Sequence, residues 1–109
     1  MAIRHAKSGE VVDLRPLGED LKQARTTAIV KSASFEAVRL VVRAGDNIAP
    51  HKVEGAIMLH CLEGRVELGL SEKALGLSAN QWVYLDGGVT HSVRGIEDSA
   101  VLLTILFLP

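Results

Sequence analysis

The sequence contains one cysteine, Cys61, so no disulfide can form within the chain. A lone thiol inside an apolar run reads as a small core residue of a reduced protein, which points to the cytoplasm. An excess of charge of one sign is lacking too: the formal net charge is −1, and the twelve Lys and Arg are scattered singly or in pairs. Without a basic stripe to track a phosphate backbone, nucleic acid is not an expected partner. Long hydrophobic runs are missing as well. The longest, "AVLLTILFLP", is about half the length of a membrane-spanning helix, and "MAIRHAKSGEVVDLRP" lacks the apolar stretch of a secretory signal. Neither membrane insertion nor export is expected. Glycine is dense only at "DGG", Asp86 to Gly88, which precedes a strand pattern and reads as a turn, not as a phosphate cradle opening a helix. No Ser-His-Asp arrangement and no acid–base pair can be argued from the chain.

What is present describes a globular domain. With 109 residues, 48% hydrophobic and 23% charged, the chain is one domain able to bury roughly two-thirds of its unfolded surface. Residues 1–10 are expected to be loose. Nearly every periodic segment has period two. "FEAVRLVVRAGD" alternates Glu36, Val38, Leu40 and Val42 with Ala37, Arg39, Val41 and Arg43, the pattern of a strand with one wet face. Gly55 to Leu62, a Glu63-Gly64 turn and Arg65 to Leu70 outline a hairpin. Turn signals at Ser71 to Lys73, Ala79 to Gln81, Asp86 to Gly88 and Glu97 to Asp98 then recur about every dozen residues, which predicts a β-sandwich or small barrel. The one helical candidate, Leu17 to Arg25, is limited by Gly18 to a turn or two.

Two strands are apolar on both faces. "VLLTILFLP" sets Val101, Leu103, Ile105 and Phe107 against Leu102, Thr104, Leu106 and Leu108, and "AIMLHCL" sets Ile57, Leu59 and Cys61 against Ala56, Met58, His60 and Leu62. An antiparallel sheet of a monomer normally wets one side. A homodimer is therefore expected, with the N-terminal segment folding over that face as the alternative.

"AGDNIAPHKVEGAIMLHCLEGRVEL" followed by "LSANQWVYLDGGVTHSV" resembles the two motifs of the cupin superfamily, over about residues 38–106. The resemblance implies an all-β fold, an antiparallel double-stranded β-helix or jelly-roll barrel. It also implies one Fe, Mn, Ni, Zn or Cu ion held by three histidines and a glutamate. Counted from Gly45, the first histidine is His51 and the closing glycine is Gly64, which leaves Val53 and Ile57 at the second histidine and glutamate positions. In the second motif Asn80 and Asp86 replace Gly and Pro, Gly88 and His91 match, and Gly95 stands at the Asn position. Asn80 for Gly is a mild exchange, because both accept left-handed backbone angles.

The ligand set carried over is thus His51 and His91, short of the three protein ligands usual in a catalytic centre. A weakly bound divalent metal such as Zn, Fe, Mn or Ni would need a third ligand. His60 lies three residues from Ile57 and therefore on the opposite strand face, unless a β-bulge intervenes. Glu54, in the loop beside Val53, and Cys61, which shares the parity of Ile57, are the other nominees. Tyr84 or Trp82 would wall the pocket if its alternation points inward. Three functions follow: binding of a small polar or anionic molecule at a pocket of His51, His91, Tyr84 and Glu54; a metal-dependent dioxygenase or isomerase; or a structural or interaction domain with a vestigial pocket.

Overall fold

The period-two segments form strands, and the chain changes sheet at most of its turns. In the computed structural model, which describes residues 5–108, β1 spans Thr27–Lys31, β2 Phe35–Val42, β3 Asn47–His51, β4 Ile57–Glu63 and β5 Arg65–Gly69. Then come β6 Ala74–Ser78, β7 Trp82–Leu85, β8 His91–Gly95 and β9 Ser99–Leu106. A five-stranded sheet runs β1-β2-β9-β4-β7 and a four-stranded sheet runs β3-β8-β5-β6, with antiparallel pairing throughout. From β2 onward the chain steps between the sheets at every connection but β5 to β6, which makes the fold an all-β jelly roll.

The segment predicted as a hairpin is the main departure. β4 pairs with β7 and β9, whereas β5 pairs with β6 and β8, so the Glu63-Gly64 turn is a corner between sheets. Gly64 makes it possible: its φ is +82°, and a side chain there would collide with the Asp98 carbonyl and Ser99. The buried Ser99 hydroxyl accepts from the Arg65 amide at 2.9 Å and locks the corner.

Alternation puts Ile57, Leu59 and Cys61 of β4 inward against Ile105, Leu103 and Val101 of β9, all packed between the sheets with Val66, Leu68 and Val93. The predicted helix is a 3-10 helix, Gly18–Gln23. The Glu63 carboxylate accepts from the Leu17 amide at 2.7 Å just before it, and Leu21 buries against Val41 and Ala100 on the outside of the larger sheet. Arg43 reinforces this by donating to the Lys22 and Ala24 carbonyls. The segment before the helix follows β1, where the Ala6 amide donates to Ile29 and Arg39 donates to the Asp13 carbonyl. The predicted loose stretch 1–10 falls partly outside the described residues. The N-terminal segment covers one end of the outer face, including Leu62 and Glu63 at the end of β4, and runs along the β1 edge, while Trp82 and Tyr84 of β7 stay exposed. Among the described residues no helix is long and apolar enough to cross a membrane.

Candidate functional site

His51 and His91 come together, and a backbone irregularity brings them there. β3 faces β8 with Ile48 opposite Val93 and His51 opposite His91, so three steps on β3 match two on β8. The extra residue is a β-bulge at Ala49-Pro50. Strict alternation from inward-facing Ile48 would turn Pro50 inward and His51 out; the bulge reverses this and aims His51 at His91. β3 is an edge strand, where proline's missing N–H breaks no ladder. The ring centroids lie 4.4 Å apart at an interplanar angle of 55°. His91 is 4% exposed and forms the wall of the site, while His51 is exposed at its lip.

Both rings are oriented by main-chain carbonyls two residues before them. The His51 Nδ1 lies 3.1 Å from the Ala49 oxygen, and the His91 Nδ1 lies 3.0 Å from the Val89 oxygen. A carbonyl only accepts, so each Nδ1 carries a proton and donates it. The Nε2 edge of each neutral ring is then an unprotonated acceptor, and protonation there turns it into a donor. Two such edges side by side can take hydrogen bonds from a hydroxyl or amide, or give them to a carboxylate. Sequence reasoning did not find Ala49 and Val89, because their contribution is a carbonyl and carries no side-chain signal.

The other positions of the metal set are apolar. Ile57 is 3% exposed and belongs to the core, and Val53 packs against it. The Asp86-Gly87-Gly88 turn holds the Val53 loop: the Gly88 amide donates to the Val53 carbonyl at 2.8 Å, and the Glu54 carbonyl sits where a side chain on residue 87 would be. That fits the reading of "DGG" as a turn. Among the described residues no group of three or more His, Cys, Asp or Glu is placed to hold a metal ion. Two imidazoles, with aliphatic residues at the other two ligand positions, do not fit the resident metal of a complete cupin centre.

The remaining candidates stand apart from the pair. The β4 register with β9 is unbroken from Ile57 to Cys61, so His60 faces outward beside Leu102 and Trp82. Tyr84 does not wall the interior: Val83 and Leu85 of β7 turn inward, and Tyr84, half exposed, donates its hydroxyl to Asp86 at 2.6 Å. That hydrogen bond holds the phenol above its usual pKa. Glu54 is exposed and lines a surface groove with Lys52, Glu36 and Phe107. Cys61 is fully buried, donates weakly to the Glu63 carbonyl at 3.4 Å, and has its thiol pKa pushed up by burial.

This arrangement of two sheets is shared with solved structures. A conserved protein of unknown function from Streptococcus pyogenes superposes with a TM-score of 0.79 at 19% identity, over 100% of this chain and 96% of that one. A cupin superfamily protein from Desulfitobacterium hafniense gives 0.77 at 14% identity, covering 94% and 100%. The chain has the cupin fold. An RmlC-like cupin with a double-stranded β-helix fold from Methanocaldococcus jannaschii gives 0.73 at 15% identity, covering 90% and 93%. No family model and no curated protein matches the sequence. Within the cupin fold, then, the turns of both motifs persist while half of the ligand positions carry hydrocarbon. Asn80 is the one non-glycine residue with positive φ among those described, at 70°, as its place in the second motif requires.

Proposed function

We propose that this cupin-fold chain binds a small polar or anionic molecule across the Nε2 edges of His51 and His91. The observation that carries the reading is the paired orientation of the rings: both Nδ1 atoms are tied to carbonyls, which leaves two acceptor or donor edges together. Val53 and Ile57 put hydrocarbon at the other two ligand positions, and a few convergent polar groups among apolar side chains is the usual make-up of a small-molecule site. A reduced, cytoplasmic setting suits the free Cys61.

The test uses acetate, succinate and citrate as probes, with the imidazole nitrogens followed by NMR. Each effective carboxylate is expected to move the Nε2 resonances of both His51 and His91 and to raise the melting temperature. His51→Ala and His91→Ala are expected to abolish the stabilisation, and His60→Ala, on the other side of the sheet, to leave it intact. No response from either ring to any probe, or one that survives both variants, defeats the proposal and favours a vestigial pocket. Elemental analysis of untagged protein is expected to find metal well below one equivalent.

A further inference from the structure

We infer that the anion taken by the histidine pair is one end of a short dicarboxylate, whose second carboxylate is held by the ammonium group of Lys73. The inference rests on the reading of His51 and His91 as a ligand-binding pair and adds a second contact to it. Register carries it. His51 stands opposite His91, Ser92 opposite Gly69, and Gly69 opposite Ala74. One step beyond Gly69, Leu70 therefore lies between His91 and Lys73, and its amide donates to the Lys73 carbonyl at 2.8 Å. His51, His91, Leu70 and Lys73 thus form one row across the ends of β3, β8, β5 and β6. Alternation places the last three on the core side: His91 is two residues from Val93, Leu70 two from Leu68 and Lys73 two from Leu75, all of which pack between the sheets.

The row opens onto space of suitable size and chemistry. A cavity of about 550 Å³ lies between Leu70, Ser71 and Lys73 on one side and Val89 and Thr90 on the other. Val89 is also the residue whose carbonyl orients His91, so the cavity abuts the support of that ring. Lys73 is exposed, and among the described residues no ion pair engages it, so its ammonium is free for a ligand. Two strand spacings separate His91 from Lys73, roughly 9.6 Å. A charge-assisted hydrogen bond of about 2.8 Å at each end leaves about 4 Å between the two anionic groups. A linker of two or three carbons fills that gap, hydrocarbon against the Leu70 side chain. The hydroxyls of Ser71 and Thr90 can donate to the second carboxylate. Glu72 also lines the cavity, and its negative charge limits the strength of that contact without standing in the row.

The test compares acetate, succinate and glutarate at constant ionic strength, with binding read from the Nε2 resonances of His51 and His91 and the second contact from the ε-methylene signal of Lys73. All three probes are expected to move the imidazole resonances, and only the two dicarboxylates the Lys73 signal. Lys73→Met is expected to weaken succinate and glutarate by about fivefold while changing acetate by less than about twofold. Lys52→Met removes the same charge next to His51 but outside the row, and is expected to change the succinate-to-acetate ratio by less than about twofold. Glu72→Gln, which removes the opposing charge, is expected to tighten both dicarboxylates. All three positions are exposed, so the fold is not at stake. A Lys73→Met protein that keeps the wild-type preference for succinate over acetate overturns the inference and leaves the histidine pair standing. So does a wild type without that preference, or a Lys73 signal that ignores succinate while the imidazoles respond. Imidazoles that respond to none of the three probes defeat the reading on which the inference rests, and the inference falls with it.

Discussion

β3 and β4 each carry one histidine of the "PHKVEGAIMLHC" stretch, and they send them to opposite sides of the molecule. On β4 the register with β9 runs unbroken from Ile57, so His60 falls on the outer face with Met58. On β3 one additional residue at Ala49-Pro50 inverts the alternation, and His51 meets the buried His91. Neither outcome depends on the histidine itself. Because the side-chain period of a strand is two, a single unpaired residue decides between site and surface. The bulge is therefore as much a part of the site as the imidazoles.

The two faces of β4 give the sharpest test of this contrast. Leu59 is 1% exposed between the sheets, while its neighbour Met58 lies half-covered outside. Leu59→Ala removes core packing and is expected to lower unfolding stability by about 2–5 kcal/mol. Met58→Ala, where water already reaches the side chain, is expected to lower it by less than half as much. Urea unfolding of the two variants measures both. Equal losses would mean that the outer face is packed as tightly as the core and that the inside/outside assignment of β4 is wrong.

That assignment was legible in the sequence, and its limits are instructive. Alternation in "AIMLHCL" separated Ile57, Leu59 and Cys61 from Met58 and His60 without any coordinates, and the turn signals at Ser71, Ala79, Asp86 and Glu97 all fall between observed strands. The Glu63-Gly64 turn was legible as a turn, but not as a corner. A turn's local chemistry fixes the chain reversal, whereas the sheet that the next strand joins depends on long-range pairing. Trp82 and Tyr84 could be paired with each other and opposed to Val83 and Leu85, yet only the register with β4 says which pair is outside. His51 and His91 were found through the cupin motif. Alternation along β3 alone, counted from Ile48, would have discarded His51, because a bulge has no residue-type signature in this segment.

A smaller effect is expected at the corner that ends β4. Gly64 and Asn80 both have left-handed backbones, at φ +82° and 70°, but only at Gly64 does neighbouring main chain occupy the place of a side chain. Gly64→Ala is expected to destabilise by about 1–3 kcal/mol from the strained backbone, with the blocked space adding to it. Asn80→Gly keeps the left-handed angle accessible and is expected to change stability by less than about 1 kcal/mol. Thermal unfolding of both separates the two contributions. A tolerated Gly64→Ala would show that the corner adjusts and does not fix the divergence of β4 and β5.

The least change of all is expected from an attempt to modify Cys61, the inward neighbour of outward His60. Its side chain is fully buried, and that burial raises the thiol above its ordinary value of 9.0. The thiolate is the reactive species, so iodoacetamide at about pH 8 is expected to leave the native protein unlabelled and to label it fully in urea. The sign of the pH effect follows from the same shift. The native state holds its thiol proton more tightly than the unfolded chain, so Cys61's stabilising contribution is complete below pH 9.0. It declines as the pH rises through the higher native value. Cys61→Ala is expected to reduce the alkaline loss of stability by that contribution, read from urea midpoints across this range. Rapid native labelling would place the sulfur at the surface, and would carry the parity of the whole strand, His60 included, with it.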